Sequence, residues 1–389
     1  MRKWSLYVLA FGTFGLGMAE FGMMSILSVA AAGLQVSVPE AGHFISAYAL
    51  GVCFGAIMLT FLAQGHSLKS LLIALMLIMC FGNMLAAVAP NYGFMIAARF
   101  ISGLPHGGYF GVAGIVAKRL ASKKKQVQAV AIMISGMTVA NLLGIPLAAY
   151  ITHIVSWHML FAMVVGWGLW TVYCIHKWVP NVSVKQSADL KSQFAFLKKP
   201  LIWLLLITIM LGNGGIFCWY SYISPIMLHE TGFSAAQMSW VMAVAGLGMV
   251  LGNIFSGKLS LYLSPIKLTT IMIIIMFTAS LSMIFSAPSQ IPALAVMFLG
   301  VFGLFGVSGP EQYLIIDTAK GGEILGASGA QVAFNLGNAV GAYVGGLPIA
   351  MGYANSFSAL PGVFLTVLGL ITIYYFSRLY EKENTQNIG

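Results

Sequence analysis

Long apolar runs separated by short polar breaks organise the whole chain. Twelve runs lie near residues 6–28, 42–63, 71–89, 93–117, 127–150, 157–178, 201–225, 236–257, 267–287, 291–312, 325–350 and 357–377. A helix that crosses a bilayer needs about 20 predominantly apolar residues, so each run is long enough to span. Lipid leaves unpaired backbone groups unsatisfied, and a barrel would need alternating ten-residue strands instead, so each run predicts a helix. Together the runs occupy most of the 389 residues and leave no room for a sizeable soluble domain. Arg2 and Lys3 precede an apolar stretch longer than that of a cleavable signal, with no small-residue cleavage site after it, so it is read as the first span.

The longest polar break is residues 179–200, with Lys185, Asp189, Lys191, Lys198, Lys199 and Pro200. Six spans precede it and six follow. The expected organisation is a six-helix bundle over 1–178, a cytoplasmic linker over 179–200, and a second six-helix bundle with a short cytoplasmic tail over 201–389. The halves echo each other. Val139-Ala-Asn-Leu-Leu-Gly144-Ile-Pro-Leu-Ala-Ala-Tyr150 in span 5 aligns with Val332-Ala-Phe-Asn-Leu-Gly337-Asn-Ala-Val-Gly-Ala-Tyr343 in span 11 at a constant spacing of 193 residues. Ser67-Leu-Lys69 and Ser264-Pro-Ile-Lys267 repeat more loosely after spans 2 and 8. The fold class is therefore all-α integral membrane, with twelve transmembrane helices in two pseudo-symmetric six-helix bundles. Parallel repeats of this kind build one large transporter class, whose solute site lies near the midplane between halves.

Composition agrees: 59% of residues are hydrophobic and 7% charged, against roughly 25% charged in soluble domains. Charge then adds orientation. Arg2, Lys3, Lys69, Lys118, Arg119, Lys123, Lys124, Lys125, Lys177, Lys185, Lys191, Lys198, Lys199, Lys258, Lys267, Lys320, Arg378 and Lys382 all fall on one side of the predicted spans, and the opposite loops contain no Lys or Arg. The positive-inside rule puts both termini in the cytoplasm. The net charge of +10 needs no nucleic-acid partner, because inside bias and contact with anionic lipid headgroups account for it. Cys53, Cys80, Cys174 and Cys218 fall in spans without metal-ligand spacing and read as small packing residues. No metal site is expected. The seven His residues are scattered, none in an HExxH pattern, and no phosphate-binding loop is present, which argues against an integral-membrane enzyme and against an ATP-driven pump.

Several motifs resemble one family. They are Gly15-Leu-Gly-Met-Ala-Glu20-Phe, Ala98-Arg99-Phe-Ile-Ser-Gly103-Leu-Pro-His106-Gly-Gly, Gly136-Met-Thr-Val-Ala-Asn-Leu-Leu-Gly144-Ile-Pro146, Ser221-Tyr-Ile-Ser-Pro225 and Ala333-Phe-Asn-Leu-Gly337. Across essentially the whole length, the chain resembles the major facilitator superfamily. Within it, the chain is most similar to the twelve-span drug:proton antiporters and the bacterial arabinose efflux permease-like proteins. The resemblance implies a secondary transporter of the bacterial cytoplasmic (inner) membrane, powered by the proton gradient without a cofactor and acting as a monomer. It implies that spans 1, 4, 7 and 10 line a central cavity, and it associates the arginine of the span-4 motif with proton coupling. The span-5 stretch resembles the family's antiporter motif. Gly136, Ala140 and Gly144 leave one helix face bare for close contact, and Pro146 removes a backbone donor and can bend the span. That face serves as a sliding or sealing surface or as plain packing, and Gly337 is its counterpart in span 11. One departure concerns the loop after span 2, where the family carries an acidic residue that helps latch the halves. Here Phe61-Leu-Ala-Gln-Gly65-His-Ser-Leu-Lys69 has none, and the stretch from Gly257 to Lys267 also lacks Asp.

Charges inside spans are costly and mark function by default. At 1.5 Å per residue, Glu20 lies about 22 Å above the cytoplasmic end of span 1, and Arg99 falls at about 21 Å. The two are expected to share a depth and, in the family's cavity, to sense each other. Burial disfavours an ionised Glu20, whereas a nearby arginine favours it, a balance that can load and release a proton. A static pair that fixes two helices is the competing reading. His106, two turns below Arg99, is either a proton relay or solute ligand or a structural histidine beside a bend. Asn213, Phe217, Tyr220 and Ser224 recur at helical spacing on span 7 and predict either a solute-binding stripe or helix glue. Glu311 and Gln312 are read as gate or helix-end residues, and Asp317 and Glu323 as solvated loop residues. The leading expectation is proton-coupled efflux of a small organic solute, a sugar-like compound or drug, by alternating access. A proton-coupled importer or uncoupled facilitator on the same fold is the alternative.

Overall fold

The computed structural model describes residues 2–62, 66–122, 126–181, 195–319 and 323–386. Lys123, Lys124, Lys125, Lys185, Asp189, Lys191 and Lys320 lie outside the described residues, as do most of the expected linker and the side chains of Arg2, Lys3 and Glu323.

The twelve apolar runs become twelve long helices among the described residues. They are α1 (Arg2–Ser25), α2 (Val38–Leu62), α3 (Leu68–Ala87), α4 (Tyr92–Leu120), α5 (Gln126–Val139, continuing to Ile145–Ile154), α6 (His158–Trp178), α7 (Pro200–Tyr220), α8 (Met238–Leu259), α9 (Pro265–Ser286), α10 (Gln290–Gly306, continuing as Ser308–Thr318), α11 (Glu323–Ala350) and α12 (Ala359–Gln386). Ten are long and apolar enough to cross a membrane. The other two, α4 and α11, are 29 and 28 residues long; α4 carries Arg99 together with Lys118 and Arg119 in its last turn.

Helix starts follow from local chemistry. Glu40 Oε2 accepts hydrogen bonds from the Ser37 main-chain N–H at 2.8 Å and the Ser37 hydroxyl at 2.7 Å, which closes the entry to α2. The two repeated loops do the same job. Ser67 Oγ accepts from the Ser70 N–H at 3.2 Å at the start of α3, and Ser264 Oγ accepts from the Lys267 N–H at 3.4 Å at the start of α9. Lys69, the one cation left in the first of these loops, donates to the main-chain oxygen of His176 at 2.6 Å. It thereby satisfies a carbonyl at the C-terminal end of α6, where a positive charge is favoured.

The chain forms two compact units, one of Met1–Gln186 with Phe233–Gly246, the other of Ser187–Gly232 with Leu247–Gly389. In the first unit, a Cβ on Gly246 of α8 would overlap the main-chain oxygen of Asn141 in α5, so the start of α8 lies directly against that helix.

Within each unit, glycine lets helix backbones meet, which is how apolar helices associate when lipid supplies no hydrophobic drive. In the first unit a Cβ on Gly51 or Gly55 of α2 would overlap the carbonyls of Phe100 and Leu104 in α4. In the second unit Gly252 of α8 stands in the same way against Phe302 of α10, and a Cβ on Gly248 would be 2.8 Å from the Phe298 oxygen. On α11, Gly337, Gly341 and Gly345 line up against the carbonyls of Met210, Gly214 and Cys218 in α7. The repetition seen in the sequence is thus also a repetition of backbone contacts.

Two helices are interrupted. In α5 the segment Ala140–Gly144 widens to a π-helix, with the Ile145 N–H bonded to the Ala140 oxygen five residues back. The proline that follows, Pro146, has no N–H to offer its own preceding turn, and a widened turn absorbs that loss. In α10 the regular helix pauses at Val307 and resumes through Ser308-Gly309-Pro310.

Candidate functional site

Close contact of α2 with α4 builds a polar centre in the first unit. Gly103 of α4 packs so tightly on the Tyr48 carbonyl that a Cβ there would overlap it. That approach brings the Tyr48 ring between two α4 side chains that lie two turns apart. The Arg99 guanidinium carbon lies 4.4 Å from the Tyr48 ring centroid, and the Tyr48 hydroxyl is 2.9 Å from His106 Nδ1. The imidazole continues towards α1, where its Nε2 lies 3.7 Å from Glu20 Oε2. Its ring also stacks on Phe110, one turn further along α4, with centroids 5.2 Å apart. Glu20 is 2% exposed, and Arg99 and His106 are 0% exposed, so the cluster is sealed inside the unit.

Arg99 does not form its hydrogen bonds with Glu20. Its Nη1 donates to the Ala19 main-chain oxygen at 2.9 Å and its Nε to the Phe44 oxygen at 3.3 Å. Two carbonyls and two aromatic faces, Tyr48 and more distantly Phe161 at 5.9 Å, replace part of the water an arginine would otherwise hold, while Nη2 is buried without a hydrogen-bond partner. The Ala19 bond sets Arg99 at the depth of Glu20, and the two charges act on each other electrostatically.

The imidazole is the versatile member. Tyr48 can donate to Nδ1, which leaves Nε2–H facing Glu20. It can also turn its hydroxyl to the Leu16 main-chain oxygen, 3.5 Å away, and accept from Nδ1–H. The ring can therefore carry a proton on either nitrogen or both, opposite a carboxylate that can carry one itself.

In the second unit, Asn213, Phe217, Tyr220 and Ser224 are all fully buried. The helical stripe stops at Tyr220, because α7 ends there and Ser224 belongs to a separate short turn, Ile223–Pro225. Phe217 meets Phe334 of α11 edge to face at 5.3 Å. Asn213 donates to the Ile209 main-chain oxygen at 2.8 Å and to Glu311 Oε2 at 3.1 Å. Glu311, read from the sequence as a gate or helix-end residue, is drawn into the interior by this bond. It is 4% exposed and reaches α7 from the first turn of Ser308–Thr318. Asp317 also departs from expectation: it lies in the last helical turn of α10, not in a loop, and accepts a hydrogen bond from the Tyr380 hydroxyl of α12 at 2.6 Å.

The bare face of α5 packs on α1. A Cβ on Gly136 would overlap the Ala10 carbonyl, Ala140 Cβ lies 3.1 Å from the Cβ position of Gly17, and Gly144 faces Phe14 and Met18. Tyr48 was missed in the sequence, since a single tyrosine in an apolar run carries no signal. The Asn213–Glu311 pair was also missed, although Asn213 follows Glu20 by 193 residues, the spacing already found for spans 5 and 11. Among the described residues no group of three or more His, Cys, Asp or Glu is arranged to hold a metal ion.

Twelve long helices among the described residues, most of them apolar enough to cross a membrane and burying polar side chains, define a multi-pass membrane protein. The sequence profile of the Major Facilitator Superfamily matches residues 9–330. AraJ of Escherichia coli K12, itself named only provisionally as a transporter, is 41% identical over 375 residues, which cover 96% of this chain and 95% of AraJ. The inner membrane transport protein YdhP of the same strain is 34% identical, covering 97% of this chain and 96% of its own. A Helicobacter pylori J99 protein named provisionally as a sugar efflux transporter is 24% identical over 88% of each chain. Among solved structures, a bacterial homolog of the human lysosomal transporter Spinster, inward-facing and unoccupied, superposes with a TM-score of 0.76 at 14% identity, covering 98% of both chains. The nucleoside transporter NupG gives the same score and identity over 98% of this chain and 100% of its own. The chain belongs to the Major Facilitator Superfamily and is a transporter of small solutes.

Proposed function

We propose that the chain is a proton-coupled exporter of a small organic solute, sugar-like or drug-like, that works by alternating access in the bacterial inner membrane with both termini in the cytoplasm. One observation carries the coupling: a carboxylate and an imidazole face each other at 3.7 Å inside the membrane-spanning part of the first unit, with Tyr48 on the far ring nitrogen. A proton that enters on Glu20 has the His106 ring 3.7 Å away to receive it, and Tyr48 can relay the tautomer change without any helix moving. Arg99, tied to the main-chain oxygens of Ala19 and Phe44, supplies a fixed positive charge at the depth of the carboxylate. The proton gradient is the energy source, no cofactor takes part, and a monomer suffices. The name given to the Helicobacter pylori relative supports export and a sugar-like solute; the one-sided distribution of Lys and Arg supports the orientation. An importer or uncoupled facilitator would use the same fold, and the direction and coupling of flux separate them.

The test is proton movement in proteoliposomes that hold a pH dye and an imposed proton gradient, with L-arabinose and a panel of cationic drugs added in turn. A solute that dissipates the gradient with wild-type protein but not with Glu20→Gln supports the proposal. Coupled flux at wild-type level in Glu20→Gln removes Glu20 as the proton carrier, and solute flux without proton flux makes the protein a facilitator.

A further inference from the structure

One end of the first unit is basic without counter-charge. Over residues 1–186, every Lys and Arg except Arg99 borders the spans on one side of the membrane, and no Asp or Glu does. The two acidic residues of this stretch lie elsewhere: Glu20 is buried within α1, and Glu40 caps the far end of α2. Three helices bring the basic end together. Lys69 of α3 donates to the His176 main-chain oxygen at 2.6 Å, which sets its ammonium beside the Lys177 backbone at the end of α6. The Ser5 hydroxyl donates to the Trp178 oxygen at 2.7 Å, so the first turn of α1, which includes Arg2 and Lys3, reaches the same point.

At this end α6 presents an aromatic and basic stripe on its outer face. Trp170, Tyr173 and Lys177 recur at helical spacing, and the two rings are 50% and 49% exposed. The rings stack with centroids 5.5 Å apart, and Trp178 meets Tyr173 edge to face at 6.4 Å. The Lys177 ammonium folds back over these rings, 5.6 Å from the Tyr173 centroid and 5.2 Å from the Trp178 centroid. It donates to the Tyr173 hydroxyl at 3.4 Å, which leaves the phenolic hydrogen as a second donor next to the ammonium. At 1.5 Å per residue, Trp170 lies about 10 Å deeper than Lys177. A headgroup layer is about 5–8 Å thick, so the indole reaches acyl carbons while the ammonium stays at phosphate level.

The last helix of the other half carries a similar pair in different surroundings. The Arg378 guanidinium carbon lies 5.3 Å from the Tyr374 centroid, and its Nε donates to the Tyr374 hydroxyl at 3.2 Å. Here Glu381 follows within one turn of α12, and Tyr380 holds the Asp317 carboxylate at 2.6 Å. Carboxylates at this end repel a phosphate.

We propose that Lys177 and Tyr173, with Trp170 below them and Lys69 beside them, bind the phosphate of one anionic phospholipid, phosphatidylglycerol or cardiolipin, and that the Tyr374–Arg378 pair does not. The phosphate accepts charge-assisted hydrogen bonds from the ammonium and a further one from the phenol, and the glycerol and upper chain rest on the indole. A zwitterionic headgroup brings its own cation into a site already rich in them. The site stands whatever the direction or coupling of transport.

Native mass spectrometry of full-length protein, released from nanodiscs of equal phosphatidylglycerol and phosphatidylcholine, tests this. Salt is kept at about 150 mM, where the Debye length is about 8 Å and diffuse attraction is screened. Wild type should retain one phosphatidylglycerol in roughly tenfold excess over phosphatidylcholine, and Lys177→Gln should lower that excess about fivefold, as expected for one cation near an anionic surface. Lys177→Arg should restore it, and Arg378→Gln should leave it within about twofold of wild type. Melting temperature gives a second reading: added phosphatidylglycerol should raise it in wild type and Lys177→Arg but not in Lys177→Gln. Equal retention of both lipids by wild type, or wild-type excess in Lys177→Gln, overturns the proposal. So does an equal loss in Arg378→Gln, which marks a diffuse effect of charge. Displacement of the lipid by an equal concentration of glycerophosphoglycerol, the same headgroup without chains, also overturns it, because the site then reads phosphate and not lipid.

Discussion

At the scale of single residues, Tyr48 links the two ends of the polar centre, since its ring faces Arg99 and its hydroxyl faces His106. Tyr48→Phe keeps the ring contact and removes a hydrogen bond with a net value of about 1 kcal/mol. Proton-linked flux in proteoliposomes should fall roughly tenfold, with little change in melting temperature; an unchanged flux would show that His106 holds its tautomer without help. Arg99→Lys asks a different question, because the charge stays while the forked geometry that meets Ala19 and Phe44 is lost. Loss of one such charge-assisted bond costs about 1.5–3 kcal/mol, so the expected result is a lower melting temperature in scanning fluorimetry. The residue types at this site were legible from sequence, because any Glu or Arg inside a span stands out. Their partners were not. Arg99 donates its hydrogen bonds to the main chain of two other helices, and main-chain acceptors leave no trace in a sequence. Glu311 was noticed only for its nearness to a helix end, and its bond with Asn213 on a different helix could not be read from the sequence.

At the scale of helices, the apolar runs predicted all twelve elements, since in lipid the run itself is the signal and no amphipathic period has to be found. The interruptions were only half legible. Pro146 announced a disturbance in α5, but a kink and a π-helical turn answer the same missing donor, and packing against α1 decides between them. Pro146→Ala should let Ala140–Gly144 return to α-helical spacing, raise the melting temperature and lower solute flux several-fold. Wild-type flux at a raised melting temperature would make the widened turn a packing detail. Gly337 is less forgiving, because its missing side chain is what lets α11 rest on the Met210 carbonyl. Gly337→Leu forces the pair apart at a cost of about 1–3 kcal/mol or more, and the expected outcome is loss of the monodisperse peak in size-exclusion chromatography. The same change at Gly257, whose Cβ position is open, should be tolerated.

At the scale of the whole molecule, two kinds of regularity coexist: charge asymmetry across the membrane and repetition along the chain. The first yields a direct prediction. Alkaline phosphatase fused after Asn91, in the turn before α4, should be active, and green fluorescent protein fused after Gly389 should fluoresce; the opposite pattern inverts the assigned topology. The repetition was visible in spans 5 and 11 because small residues with backbone contacts tolerate few alternatives. The way Arg99 is held has a mechanical consequence. Its guanidinium bonds to the backbone of α1 and α2 while its own backbone belongs to α4, so one side chain rivets three helices. A rivet fixed to main-chain atoms keeps its grip when neighbouring side chains change rotamer or protonation. These three helices should therefore travel as a single girder whenever the transporter changes state, and under the proposed coupling the proton would be the part that moves within a rigid frame.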